Sequence, residues 1–247
     1  MNDAAVLALE EACIRAWPAK RTTTIAGWRA FATSGQSWRV NSTWPLAWSG
    51  DDLEKAIDDA EHWAHEHAIR PAFKLAERAV EPPELAVALK HRGYRAHMPT
   101  LVMTRTLGSV TAPARKVTLD DDPTDSFWTP LRLAAASAED FSERADIVMR
   151  TQAPRAFAIA RLEHQPAAIG FGDLTDDLLG LYLMRTAPKA RRQGLARDIV
   201  DALCCWGAAQ GAHTAYLQVE QNNEAAIALY AQSGFATAYH YAYWIKD

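Results

Sequence analysis

The run Pro188-Lys189-Ala190-Arg191-Arg192-Gln193-Gly194-Leu195-Ala196 carries the most legible chemistry in the sequence. It follows a strand-like apolar stretch, LGLYLMRT, and opens a helical one, LARDIVDALCCW. The first backbone N–H groups of a helix have no internal partner and point at whatever lies in front of them, at the positive end of the helix dipole. Gly194 removes a side chain where an anion must come close, and Ala196 keeps the next approach narrow. Lys189, Arg191 and Arg192 place positive charge around the mouth. Residues of these types in this order form a nest for a phosphate or diphosphate.

Three features accompany the nest. Pro188 stands directly after the strand, the strand–loop–helix order holds, and LQVEQNNEAAIALYAQSGF follows, with asparagine, a helix carrying Leu-Tyr, and then Gly-Phe. With Arg191, Gly194 and Ala196 spaced as Gln or Arg, two residues, Gly, one residue, Gly or Ala, these residues resemble the acyl-CoA loop and second motif of the GNAT superfamily of N-acetyltransferases, from about Arg115 to the C-terminus. The resemblance implies an α/β fold on a mixed sheet, acetyl-CoA as co-substrate, direct attack by an amine acceptor, and no metal. It implies that backbone groups of Met184, Arg185 and Thr186 pair with the pantetheine arm. The amides of Arg191, Arg192, Gln193, Gly194, Leu195 and Ala196 would hold the pyrophosphate, and Asn223 would bond the pantetheine. Tyr230 matches the tyrosine that protonates the departing thiolate. A phenol of reference pKa about 10 can donate to a thiolate of about 8.5 when held within hydrogen-bond reach. The competing reading makes Tyr230 a core aromatic on an amphipathic helix.

The general base is not at the places where that family commonly has a glutamate. Gly180 and Gln218 stand there, and neither accepts a proton. Glu220, two residues from Gln218 and so on the same face of a strand, and Asp173 on the neighbouring strand could act through water. Each also reads as a solvated charge at a strand end. An acceptor amine of low pKa would need little help from a base.

Periodicity and punctuation predict the elements that hold these residues. After a short strand at 116–119 come a helical region over 125–151 broken near Ser137, then strands at 155–162, 168–174 and 180–186. A helix over 194–210, a strand at 215–220, a helix over 224–232 and a strand at 236–245 close the chain. The first half reads as strands 27–33 and 36–46 joined by a Ser34-Gly35 hairpin. A helix over 52–68, a strand at 72–76, a helix over 84–91 stopped by Gly93, and a strand at 100–106 follow. The stretch 108–125 is rich in small residues, proline and aspartate, and places a boundary near Ala112.

The endings PELAVALKHRGYRAHMPTLVMTR and EAAIALYAQSGFATAYHYAYWIK overlay, with Gly93 on Gly234 and Leu89 on Tyr230. The first half, residues 1–112, thus resembles a degenerate GNAT-like domain beside an acetyl-CoA-binding domain over 113–247. Its loop equivalent, TWPLAWSGDDLEKA, sets Asp51 and Asp52 where a pyrophosphate would sit. Its expected work is to cover a sheet edge or to wall the acceptor site, with Trp38, Asn41, Trp44 and Trp48 as wall candidates, although a tryptophan-rich hairpin is more often core or domain interface than ligand contact.

Composition sets the outer limits. Among 247 residues, 49% are hydrophobic and the net charge is −4, which argues against bulk nucleic-acid or anionic-membrane binding. No apolar run approaches the roughly 20 residues of a membrane span. Three cysteines make no disulfide framework and point to a reducing cytoplasm. His62, His65 and His67 lack the companion ligands a metal needs. The resulting expectation is an N-acetyltransferase that takes acetyl-CoA and a small-molecule amine or protein N-terminus. The alternatives are an acyl-CoA-binding regulatory module with little turnover and an aminoacyl-tRNA-dependent acyltransferase of similar fold.

Overall fold

The computed structural model describes residues 1–152 and 154–246. Among them the helices are α1 (Asp3–Ala16), α2 (Leu53–Glu66), α3 (Leu85–His91), α4 (Asp125–Ala134), α5 (Ala138–Arg150), α6 (Leu195–Ala209) and α7 (Glu224–Gln232). The strands are β1 (Arg21–Ile25), β2 (Trp28–Ala32), β3 (Thr43–Trp44), β4 (Ala72–Ala76), β5 (Arg95–Thr106), β6 (Val117–Asp120), β7 (Arg155–Leu162), β8 (Gln165–Thr175), β9 (Leu178–Thr186), β10 (Thr214–Glu220) and β11 (Ala236–Ile245). The chain forms two compact units that interleave in sequence: Met1–Leu101 with Ser142–Arg150 and Tyr239–Asp247, and Val102–Phe141 with Thr151–Ala238.

In the first unit the strand order is β1-β2-β3-β4-β11. The last strand of the chain completes this sheet, antiparallel to β4 from Tyr241↔Ala76 to Ile245↔Ala72. α2 places Ala56, Ile57 and Ala60 on one face at helical spacing, and they pack with Trp28, Phe73, Leu75, Leu85, Leu89 and Tyr94. The N-terminal helix α1 lies outside the sequence expectations. Its signals are Asn2, whose side chain accepts from the Ala5 N–H at 2.9 Å, and buried Val6, Leu9, Cys13 and Ala16 on one helical stripe.

α1 brings a carboxylate into the core. Lys74 on β4 donates to Glu10 Oε2 at 2.6 Å, and the Tyr239 hydroxyl donates to Glu10 Oε1 at 2.6 Å. The Lys74 ammonium lies 3.6 Å from the Trp44 ring centroid and 4.1 Å from that of Tyr241. Trp44 and Asn41 are fully buried parts of this unit's interior, so they act as core.

The Ser34-Gly35 hairpin is not formed. The turn that pairs two strands lies at Ala26-Gly27, between β1 and β2, with Ile25↔Trp28 as its last pair. The stretch expected as a strand at 36–46 contains a 3₁₀ turn at Trp38–Val40 and only the two-residue β3. Glu143, buried on α5, is the cause. Its carboxylate accepts from the Ser34 N–H (2.8 Å), the Ser34 hydroxyl (2.8 Å), the Gln36 N–H (3.2 Å), the Ser37 N–H (2.6 Å) and Asn41 Nδ2 (3.0 Å). Amides engaged by a carboxylate more than a hundred residues away cannot form a strand ladder.

In the second unit β6, β7, β8 and β9 run antiparallel in that order, and β10 joins β9 in parallel. One sheet face carries a row of aromatic rings from Phe127 on α4 through Phe157, Phe171 and Tyr182 to Tyr216. α6 covers the opposite face so closely that a Cβ at Gly170 would fall 2.5 Å from Ile199 Cγ2. The chain before β6 is not a free linker. Thr111 O accepts from Cys205 Sγ at 3.4 Å and Ala114 N–H donates to Asp198 at 3.0 Å, so the segment runs along α6.

α3 and α7 end in the same way. Gly93 and Gly234 both have φ of +84°, the amides of Tyr94 and Phe235 return to the carbonyls of Leu89 and Tyr230, and those of Gly93 and Gly234 to Lys90 and Ala231. This is a Schellman stop, followed in each case by a strand.

Candidate active site

β9 and β10 stay together for four rows, from Leu178↔Thr214 to Leu181↔Leu217, and then part. The parting coincides with a bulge in β9. Against β8, Ile169 faces Arg185 and Phe171 faces Tyr182, so β9 has one residue more than its partner, with Leu183 at φ +51°. A bulge bends and over-twists its strand, which carries β9 away from β10. Met184, Arg185 and Thr186 lie on the diverging part, with β8 on one side and the gap on the other. Arg185 Nη1 donates to the Met184 carbonyl at 2.9 Å.

The chain then makes a 3₁₀ turn, Pro188–Ala190, and enters α6 through Gly194 at φ +83°, with no side chain capping the helix. Among the described residues, the backbone N–H groups of Gln193, Gly194, Leu195 and Ala196 donate to no acceptor. Lys189, Arg191, Arg192 and Gln193 are exposed around them. Arg115, a residue the sequence reading passed over, also reaches this place. Its guanidinium donates to Asp198 at 2.7 Å and would stand 3.1 Å from a Cβ at Gly194. Orphan amides, a position without a side chain and surrounding cations fit the diphosphate of a coenzyme A thioester.

Tyr230 on α7 is 7% exposed, with its ring edge-on to Phe235 at 6.2 Å. Burial pushes its phenol up to about 12, opposed by the charge of Arg185. It is therefore protonated at neutral pH and, among the described residues, its hydroxyl makes no hydrogen bond. Asn223 caps α7 by accepting from the Ala226 N–H at 3.2 Å, which leaves its amide N–H groups for a ligand.

The absence of a glutamate at Gly180 has a steric cause. A Cβ there would lie 2.4 Å from Tyr182 Cε2 and 2.8 Å from the Tyr216 hydroxyl, and the two tyrosine hydroxyls are 2.8 Å apart. Asp173 stands opposite Gly180 on the ladder and on the same face as Phe171 and Tyr182. It is 4% exposed rather than solvated, and burial pushes its carboxyl up to about 6 against the opposing effects of the Thr175 hydroxyl and Arg155. Glu220 is exposed at the end of β10. The histidines disperse: His62 pairs with Glu66 at 3.3 Å, and the His67 ring contacts the Trp63 carbonyl at 2.8 Å.

The parted strands followed by a phosphate-shaped helix entry define an acyltransferase of the GNAT class, and solved structures share the fold. A GCN5-related N-acetyltransferase from Kribbella flavida superposes with a TM-score of 0.74 at 16% identity, covering 100% of this chain and 96% of that one. A tandem GNAT protein from the clavulanic acid biosynthesis pathway gives 0.65 at 15% identity, covering 96% and 86%. Within the class, residues 3–244 match the family described as probable histone acetyltransferase Rv0428c C-terminal, and the chain belongs to that family. It is 29% identical to the probable histone acetyltransferase Rv0428c of Mycobacterium tuberculosis, over 98% of this chain and 74% of that protein. It is 26% identical to the uncharacterized N-acetyltransferase YobR of Bacillus subtilis, over 96% and 97%. No described helix is long and apolar enough to cross a membrane.

Proposed function

We propose that this GNAT-type acyltransferase moves the acetyl group of acetyl-CoA to an amine, with Tyr230 as general acid and Asp173 as the favoured general base. The observation that carries the reading is the set of orphan amides at Gln193–Ala196, at the mouth of the gap between β9 and β10. Met184, Arg185 and Thr186 offer backbone groups to the pantetheine, Arg191 to Ala196 hold the diphosphate, and Asn223 donates to the arm. Asp173 is preferred to the exposed Glu220 because it is buried on the face of the sheet that carries Tyr182 and Tyr216. The name of the M. tuberculosis relative makes a protein amine the first acceptor to test, beside small amines. The free cysteines support a cytoplasmic setting. Calorimetric titration with acetyl-CoA, followed by thiol-release assays over an amine panel, tests the reading. Binding without release for any amine would leave a regulatory module instead.

Two substitutions probe the roles. Tyr230→Phe lowers turnover about tenfold or more while coenzyme A affinity stays within a few fold, since a general acid acts on the reacting bond and not on ground-state binding. Wild-type turnover in this variant removes Tyr230 as the acid. Asp173→Asn gives opposite effects on rate and stability. The folded carboxyl titrates above its unfolded value, so the stability it contributes is fully present below the unfolded pKa and is lost as pH rises through about 6. At pH 7.5 the asparagine variant therefore melts higher than wild type. Its turnover falls, and the rise of wild-type rate with pH through about 6 disappears, because the carboxylate is the basic form. An unchanged pH–rate profile removes Asp173 from the reaction.

We also read residues 1–112 as a degenerate copy of the domain over 113–247. The matched Schellman stops of α3 and α7 support this. So does Leu89, buried in the core at the position that overlays Tyr230. Asp52 caps α2 by accepting from the Lys55 N–H at 3.0 Å, so its carboxylate occupies the place of an anion.

A further inference from the structure

A buried acid in the first turn of α6 is out of place in an anion site. Asp198 is 3% exposed, one turn from Gly194, and its charge opposes a diphosphate at the helix entry. Asp198 is matched by the chain that precedes β6. The Ala114 N–H and the Arg115 guanidinium take its two oxygens at 3.0 Å and 2.7 Å. The same guanidinium occupies the space beside Gly194 that a side chain there would need, with Nη1 3.1 Å and Nη2 3.8 Å from where a Cβ would stand. Half of the Arg115 side chain remains exposed, so donors are left over after the bond to Asp198.

We propose that Arg115 is a phosphate ligand for coenzyme A, held beside the amide nest by Asp198 and bridging that carboxylate to the diphosphate when the thioester binds. This rests on the coenzyme A reading above and adds to it a contact from outside the strand–loop–helix motif. The segment joining the two sequence halves thereby becomes part of the cofactor site. Asp198 serves as the positioning residue. It fixes a long side chain that would otherwise sample many rotamers, so less entropy is lost on binding.

The test is calorimetric titration of coenzyme A into wild type, Arg115→Ala, Arg115→Lys and Asp198→Asn, each checked for folding by thermal melting. Arg115→Ala is expected to weaken binding about tenfold, and Arg115→Lys to recover part of that loss. Asp198→Asn loosens the hold on the guanidinium but also removes a negative charge that opposes the diphosphate, so it loses clearly less affinity than Arg115→Ala. A merely structural role, in which Arg115 only ties the segment to α6, predicts equal losses in Arg115→Ala and Asp198→Asn, and that result overturns the proposal. Wild-type affinity in folded Arg115→Ala also overturns it. If wild-type protein itself fails to bind coenzyme A, the underlying functional reading fails instead.

Discussion

Gly194→Glu is expected to abolish coenzyme A binding, with a loss of at least about a hundredfold. Three physical effects act together. The position has φ of +83°, where a side chain costs about 1–2 kcal/mol of backbone strain. The new Cβ stands 3.1 Å from Arg115 Nη1, so the carboxylate is placed to pair with that guanidinium and remove it from the anion site. The carboxylate also enters the amide nest itself. At about 4 Å from a phosphate charge and an effective dielectric near 20, the repulsion is about 4 kcal/mol, which alone exceeds the energy of a hundredfold change. Gly194→Ala carries the strain and the close approach of a Cβ to Arg115 but no charge, and should lose far less affinity. Calorimetry on the two variants, with circular dichroism to confirm folding, checks the expectation. Unchanged affinity in folded Gly194→Glu would remove the nest from the functional reading.

The second large effect is on stability. Lys74→Met keeps the length of the side chain and removes its charge from a site where both partners are completely shielded from water. Glu10 is then left in the core without its cation, with the Tyr239 hydroxyl as its one remaining partner from that network. Removing one partner of a buried pair typically costs about 3–5 kcal/mol, because the desolvation of the other is no longer offset. For a chain of this size that corresponds to a fall of roughly 10 °C in the unfolding midpoint. The double variant Glu10→Gln/Lys74→Met should recover most of the loss. It removes both charges and retains an amide oxygen to accept from Tyr239. Equal melting of Lys74→Met and wild type would show that the pair adds nothing to the first unit. The aromatic faces of Trp44 and Tyr241 over the ammonium set this pair apart from a surface ion pair, whose loss is seldom measurable.

The local signals in the sequence were strong wherever one residue type does one physical job. Gly194 after a strand and before an apolar-periodic helix fixed the helix entry, and Gly93 and Gly234 fixed two helix stops. The expected bounds of β4, β7 and β11 are the observed ones, because the signals that set them depend only on neighbours in the chain. That order of elements gave a mixed α/β class, and the GNAT fold came from the resemblance of the loop around Gly194 and of the segment that follows it.

What the sequence left undecided depends on partners far away along the chain. Ser34-Gly35 has the composition of a hairpin, yet its amides go to Glu143, and no local rule could identify that acceptor. Asp173 reads as a strand-end charge until the fold buries it opposite Gly180. Arg115 is one of many exposed arginines until Asp198 holds it against Gly194. The composition of the two units was equally hidden, since β11 completes the sheet of the unit that contains the N-terminus. Period and punctuation are properties of adjacent residues, so the sequence alone determined most helices and strands of the second half and the glycine entry to α6, but neither α1 nor the fold of residues 34–46. Burial, pairing across the sheet and the neighbours of each charge arise only when distant segments meet, so the tertiary structure decided which carboxylate is shielded and which cation faces the nest.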